Sequence, residues 1–182
     1  MLSIESAEII CKLTFSQPAR LDVYPAFVLR SVYGYQLRRM HCVTHNTECT
    51  ACVFKKTCAY ARVFETVIDK DTPVLPGRDK ASHPFRIIAD ARPGTTVQSL
   101  TARFQFFGPG IDYIPHTIFA LREAGKTGLF HSRTPYSLQV FTIHEIPIEH
   151  DDTIELDAIP HKTSTITADT AHLHKICTIT CK

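Results

Sequence analysis

Residues 41–60 read HCVTHNTECTACVFKKTCAY, and the rest of the chain is arranged around this stretch. Four of the seven cysteines lie here in a C-x6-C-x2-C-x5-C pattern: Cys42, Cys49, Cys52 and Cys58. Thiolates this close in sequence can reach one metal ion without long-range folding, and the central C-x2-C lets one turn present two sulfurs. The pattern predicts a four-cysteine metal-binding insertion at residues 42–60.

The identity of the metal follows from the ligand set and the compartment. A four-thiolate site is typical of structural Zn²⁺, and a [4Fe–4S] cluster is the alternative with the same ligands. Disulfides are the competing interpretation. Residues 1–16 contain two glutamates and no long apolar core, so they do not resemble a secretory signal. We therefore expect a cytoplasmic protein with reduced thiols, and a zinc ion that stabilises the fold without an open position for substrate.

The charge is unevenly distributed along the 182 residues. The formal net charge is only +2, yet residues 12–62 contain eight lysines and arginines against two acids, while residues 145–157 contain six acids and no lysine or arginine. A basic segment of this kind favours a polyanionic partner such as nucleic acid, and a solvated basic surface is the alternative. No apolar run approaches the length of a membrane span.

The hydrophobic pattern predicts alternating strands and helices. Strands are expected at residues 9–15, 85–88, 97–107 and 136–144, where apolar and polar residues alternate or short apolar runs occur. A first helix is expected at residues 25–41, with Pro25 in its first turn and Tyr33 on its apolar stripe. A second is expected at residues 112–124, with Asp112 as N-cap and Gly125 as its stop. The order βαββαβ is that of a ferredoxin-like fold.

The predicted fold class is therefore α+β: a ferredoxin-like, RRM-like domain at residues 1–145 with the four-cysteine insertion, and a β-rich C-terminal extension at residues 146–182. Two Thr/Ile-rich stretches of the extension, 163–167 and 172–181, are candidate strands. The second stretch also contains a weaker candidate metal cluster, made of His172, His174, Cys177 and Cys181.

Two further features carry possible chemistry. The turn at residues 125–128, GKTG, follows a helix and lacks P-loop spacing, which argues against nucleotide hydrolysis; it either approaches a phosphate closely or simply ends the helix. His41 and His45 flank the first cysteine. Either histidine is a candidate general base toward a ribose 2′-hydroxyl, and a surface or supporting role is the alternative.

Several runs in the same order resemble a known family. They are LRSVYGYQLRRMHCVTHNTECTACVFKKTCAYARVFE at 29–65, HPF at 83–85, FGPGIDYIP at 107–115 and LREAGKTGL at 121–129. Together they resemble the N-terminal part of the CRISPR repeat-processing endoribonucleases of the RAMP superfamily. The resemblance implies a ferredoxin-like RAMP domain that binds CRISPR RNA.

The resemblance leaves three functions open. Those nucleases usually have two ferredoxin-like domains, and this chain ends at Lys182, about where a second would begin, which favours a one-domain subunit that holds the 5′ handle of the guide in an effector complex. The first alternative is a metal-independent endoribonuclease in which His41 or His45 activates the 2′-hydroxyl and Lys55 stabilises the developing charge. The second is an iron–sulfur structural or redox protein.

The preferred interpretation fixes the expected partners and contacts. The partners would be CRISPR RNA and other effector subunits, with no membrane and no small-molecule substrate. The residues expected to hold RNA phosphates are Arg30, Arg38, Arg39, Lys55, Lys56, Lys126 and Arg133.

Overall fold

A computed structural model of the chain describes residues 2–45, 48–68, 80–150 and 153–166. Its strands and helices, in chain order, are β1 (Leu2–Arg20), α1 (Pro25–His41), β2 (Phe85–Ala89), β3 (Thr96–Phe107), α2 (Ile114–Thr127), β4 (Tyr136–Thr142), β5 (Glu149–His150), β6 (Thr153–Ile154) and β7 (His161–Ile166). The tail residues His172, His174, Cys177 and Cys181 lie outside the described part of the chain.

The architecture is α+β, built on a five-stranded antiparallel sheet. Its strands lie in the order β2-β3-β1-β4, and β7 pairs with the first residues of β1. Ile10 of β1 is opposite Arg103 of β3 and Phe141 of β4, which fixes the register at the centre of the sheet. The strands β5 and β6 form a separate small hairpin.

One face of the sheet is covered by the two helices. Alternate residues of β1, from Ala7 to Phe15, are buried, and they meet Leu29 and Tyr33 of α1 and Ile118 of α2 in a single core. Because side chains alternate across a strand, the residues between them, such as Lys12, point to the other face. Ile148 and Ile159 of the extension are also buried in this core.

The first strand is longer than its sequence pattern predicts. Alternation ends at residue 15, yet β1 continues through Pro18 to Arg20. The pairing of β1 with β3 shifts register between Thr14 and Ala19, so Pro18 lies where the ladder is interrupted and its missing N–H costs nothing. Ala19 is fully buried beyond the irregularity. The sequence pattern ends the strand at residue 15, because the pairing of β1 with β3 cannot be read from residues 9–20 alone.

The second helix begins and ends later than expected. Asp112 does not cap it, because residues 108–113 form a 3₁₀ helix, and the N-cap of α2 is Tyr113 without a side-chain hydrogen bond. Gly125 does not stop the helix either. It is buried inside α2, where an added Cβ would lie 2.6 Å from the Tyr136 carbonyl oxygen, so glycine is needed for close packing on β4.

Candidate functional site

The four cysteines of residues 42–58 converge on one small cavity of about 20 Å³. The knuckle between Cys49 and Cys52 is a tight turn, closed by a hydrogen bond from the Cys52 N–H to the Cys49 carbonyl at 3.3 Å. None of the described cysteines forms a disulfide. A cavity of this volume holds about one water-sized particle, so an ion placed there would face thiols from four positions.

The donor chemistry of this cavity fits zinc, and the distances between its side chains are those of a site without a bound ion. Thr44 Oγ1 lies 3.8 Å from the sulfur of Cys42 and 4.0 Å from that of Cys52. Within the described parts of the chain, no three His, Cys, Asp or Glu side chains are close enough together to hold a metal ion. Four thiols around one cavity are nevertheless the donor set that a structural zinc ion takes.

The electrostatic environment differs between the cysteines. The hydrogen bond to Thr44 is the main factor that lowers the pKa of Cys42. Burial opposes it, and backbone hydrogen bonds and Arg38 add smaller effects that lower the pKa further. Burial, followed by the charge of Glu65, raises the pKa of Cys49. Arg38 also lies over the Tyr60 ring, 5.5 Å from its centroid, so its guanidinium group contacts the cysteine loop.

The segment that leaves the cysteine loop packs back on α1. Tyr60 stacks on Phe64 with ring centroids 5.6 Å apart, and Phe64 meets Tyr33 edge-on at 5.0 Å. Gly34 makes this approach possible, since a Cβ there would lie 3.0 Å from the Phe64 ring. Glycine is an unfavourable residue within a helix, but at position 34 it allows the segment after the cysteine loop to pack closely against α1.

The residues predicted to bind phosphate fall into different surroundings. Arg30 lies 5.6 Å over the Phe64 ring and forms a 2.8 Å hydrogen bond with the Nε2 atom of His83. Lys126 is paired with Glu123 at 2.5 Å, one turn earlier on α2. Arg38, described above, contacts the cysteine loop from α1. The remaining predicted residues line two grooves: Arg39, Lys55, Lys56 and Arg133.

The first groove, here called the helix–hairpin groove, has a volume of about 640 Å³. One wall is the outer side of α1, with Tyr35 and Arg39, and the other is the turn at residues 127–133, with His131 and Arg133. Tyr35 is 66% exposed, whereas Tyr33 is fully buried as the apolar stripe predicted. Asp22 is the acidic member of the groove, and its carboxylate accepts a hydrogen bond from the His131 N–H at 3.3 Å.

The turn of this groove is built on Gly128, which ends α2. Its φ of 80° lies in the left-handed region, and a Cβ would fall 2.1 Å from the Arg133 carbonyl oxygen. Leu129 and Thr134 exchange two backbone hydrogen bonds of 3.0 Å and close a tight hairpin, which places Arg133 in the groove. In the GKTG turn, Gly128 is therefore the glycine that ends the helix. Both glycines allow close packing, Gly125 against Tyr136 and Gly128 against Arg133.

The second groove, here called the loop groove, has a volume of about 600 Å³. Its basic residues are Lys55 and Lys56 from the cysteine loop and Arg62 from the π-helical turn Ala61–Glu65. Arg62 lies over the Tyr113 ring, 6.0 Å from its centroid. No acidic residue is among the described residues that line this groove.

The two candidate catalytic histidines have different neighbours. The His41 ring lies 5.0 Å from the ring of His116 on α2, and burial, with a smaller effect of His116, lowers the pKa of His41. The Nδ1 atom of His116 is buried and has no hydrogen-bond partner among the residues that the structure describes. His45 is exposed and has a positive φ of 49°. Sequence reasoning missed His116, Arg62 and Tyr113, because no motif marks positions that only the packing of α1, α2 and the loop brings together.

No helix in the described ranges is long and apolar enough to cross a membrane. No curated protein and no solved structure matches the chain significantly. A family model described as an N-terminal domain matches residues 4–166, and that description names no activity. The match covers β1 to β7 and includes both grooves and the cysteine loop. The chain therefore belongs to this family of N-terminal domains.

Proposed function

We propose that this chain is an RNA-binding RAMP subunit of a CRISPR effector ribonucleoprotein, working in the cytoplasm, and that it holds the repeat-derived 5′ handle of the guide RNA in the helix–hairpin groove. The proposal combines the sequence resemblance with the geometry of that groove. Other effector subunits would be its protein partners.

The proposed ferredoxin-like fold is supported by the order of the elements and of the strands. The elements follow as β1, α1, β2, β3, α2 and β4, and the sheet order β2-β3-β1-β4 with every pair antiparallel is what two interlocked split βαβ units produce. The fifth strand, β7, adds to the same sheet from the extension.

The helix–hairpin groove is the observation that carries the proposal. It places Arg39 of α1 and Arg133 of the hairpin along one cleft, with the exposed ring of Tyr35 between the helix and solvent. Guanidinium groups bind phosphate oxygens through two parallel hydrogen bonds, and an exposed aromatic ring can stack on an unpaired base. Lys126, near the end of α2, would reinforce the positive potential there, although its pairing with Glu123 reduces its contribution.

The four-cysteine cavity has a structural role in this proposal. Cys42, Cys49, Cys52 and Cys58 would hold Zn²⁺, which supplies the positive charge that keeps the thiolates deprotonated. The ion would brace the loop that connects α1 to Tyr60 and Phe64. It would take no part in RNA chemistry, since four protein ligands leave no open position.

The test is a binding and cleavage assay with labelled CRISPR repeat RNA from the same locus. Purified protein is incubated in excess with the RNA and a chelator, and native and denaturing gels are run together. We expect a shifted, uncleaved RNA. The double variant Arg39→Gln, Arg133→Gln should bind roughly 100-fold more weakly, because each charge-assisted hydrogen bond contributes about 1.5 kcal/mol.

A charge-matched control separates this groove from non-specific attraction. Lys12 and Arg86 lie on the face of the sheet that the helices do not cover, so Lys12→Gln with Arg86→Gln removes the same charge elsewhere. We expect at most a few-fold loss for this control. If the control weakens binding as much as the groove variant, RNA binds the open sheet face and the groove assignment is wrong.

The alternative function, a metal-independent endoribonuclease, has one supporting observation. His41 lies beside His116, and two histidines near one another can act as general base and general acid in 2′-hydroxyl attack. Cleavage at one position in the same assay, lost in His41→Ala and retained in His45→Ala, would establish the nuclease instead of the handle-binding subunit.

A further inference from the structure

An exposed apolar tip lies on the cysteine loop, away from the helix–hairpin groove. Val53 is 85% exposed and Phe54 is 47% exposed, directly after the Cys49–Cys52 knuckle. Phe54 also lines the small cysteine cavity. Its backbone is fixed, because the Phe54 carbonyl accepts hydrogen bonds from the N–H groups of Thr57 at 3.0 Å and Cys58 at 2.8 Å.

The apolar tip continues into the basic loop groove. Lys55 lines both the cysteine cavity and the loop groove, and it therefore joins the two surfaces. The Lys55 ammonium donates to the Thr50 carbonyl at 3.0 Å, which holds it in place and leaves donors for a ligand. Lys56 and Arg62 extend the positive charge along the groove, without an acidic residue among the described lining residues.

An anchored aromatic ring beside a row of cations is the arrangement that binds single-stranded nucleic acid. Bases stack on the ring, phosphates follow the cations, and a duplex offers no free base faces for stacking. Tyr113 does not supply the ring, since Arg62 lies over it. We propose that the apolar tip and the loop groove form a second RNA subsite for unpaired nucleotides, in which Phe54 stacks on a base and Lys55, Lys56 and Arg62 bind the flanking phosphates.

This inference rests on the proposal that the chain binds RNA, and it adds a subsite separate from the helix–hairpin groove. The test uses a fluorescent 12-nucleotide oligouridine and an RNA duplex of equal length, measured by anisotropy. Phe54→Leu keeps an apolar cover over the cysteine cavity but removes the aromatic face, and Phe54→Tyr keeps both. Phe119→Ala removes a similarly exposed phenylalanine from α2 as the control.

We expect Phe54→Leu to bind oligouridine about fivefold more weakly or worse, which is the lower end of measured losses of base stacking. Phe54→Tyr and Phe119→Ala should stay within about twofold of the parent protein, and duplex affinity should change little in all three. The triple variant Lys55→Gln, Lys56→Gln, Arg62→Gln should reduce the slope of log affinity against log salt by about 2, because each single-strand phosphate contact contributes about 0.7.

The possible outcomes separate the two proposals. If the parent protein binds no RNA, the proposed function fails and this subsite fails with it. If it binds RNA and the Arg39, Arg133 double variant is weakened, but Phe54→Leu binds oligouridine like the parent, only this subsite is wrong. Unchanged RNA affinity together with a change in sedimentation for Phe54→Leu would identify the tip as a protein-docking surface and would also overturn the inference.

Discussion

Substituting Gly128 by alanine should strongly destabilise the protein, because two costs combine at this position. With φ 80° and ψ 169°, Gly128 has a backbone conformation that other residues adopt only at a cost of about 1–3 kcal/mol. The new Cβ would also lie 2.1 Å from the Arg133 carbonyl oxygen, so the hairpin has to open. Opening it weakens the two hydrogen bonds between Leu129 and Thr134, at about 1 kcal/mol each.

The expected loss is therefore about 3–5 kcal/mol, a large share of the stability of a domain this size. Gly94→Ala is the matched control, since Gly94 has a φ of 85° and nothing within 4 Å of an added Cβ. That variant should lose only about 1–2 kcal/mol, the cost of a left-handed residue alone.

Urea unfolding followed by circular dichroism measures both variants. With a slope of about 2 kcal/mol per molar urea, Gly128→Ala should lower the midpoint by roughly 2 M and Gly94→Ala by less than about 1 M. Equal losses in the two variants would show that the close approach of residues 128 and 133 contributes nothing to the stability difference, contrary to this prediction. Since Arg133 moves with the hairpin, Gly128→Ala should also weaken RNA binding, whereas Gly94→Ala should not.

Three further predictions concern the metal, the pH dependence and the core. Elemental analysis should find one zinc per chain in the parent protein and in Cys11→Ala, which alters a buried core thiol, but none in Cys52→Ser; bound iron in place of zinc would contradict this assignment. Burial and the charge of Arg30 lower the pKa of His83, so the unfolded chain, with a His83 pKa near 6.5, binds the proton more readily than the folded chain. Stability should therefore be full above pH 6.5 and decrease below it. The difference between the urea midpoints at pH 7.5 and pH 5.5 should be smaller in His83→Gln than in the parent protein. Tyr33→Phe should cost about 1 kcal/mol, since its hydroxyl lies 2.8 Å from Thr117 Oγ1 in the core, and an unchanged urea midpoint would show that this hydrogen bond is not stabilising.

Local sequence patterns were sufficient to predict the helix α1 and the strand β3. The bounds of α1 follow from Pro25 in its first turn and from the apolar stripe through Tyr33, and β3 follows from strict alternation. The end of α2 could not be predicted in this way. Gly125 and Gly128 carry the same local signal for a helix stop, and only the positions of Tyr136 and Arg133 decide which one ends the helix.

The candidate site shows the same division. The cysteine spacing predicts that four thiols share one metal site. The four residues line one cavity, but within the described parts of the chain no three of their side chains are close enough together to hold an ion. The basic residues could be recognised as a set but not assigned, because charge alone does not reveal neighbours. Arg30 and Arg38 are engaged with Phe64, His83 and the cysteine loop, and Arg39 lines a groove with Arg133, 94 positions later in the sequence.

Residues close in sequence were enough to predict the strand and helix periods, the clustering of cysteines and the basic character of the first third of the chain. The packing of distant segments, in contrast, sets which cations share a groove, places Phe64 against Gly34, and brings His116 beside His41. The physical reason is that contacts between distant segments arise when strands pair and helices bury their apolar sides on one sheet, and neither the register nor the packing is encoded in any single stretch.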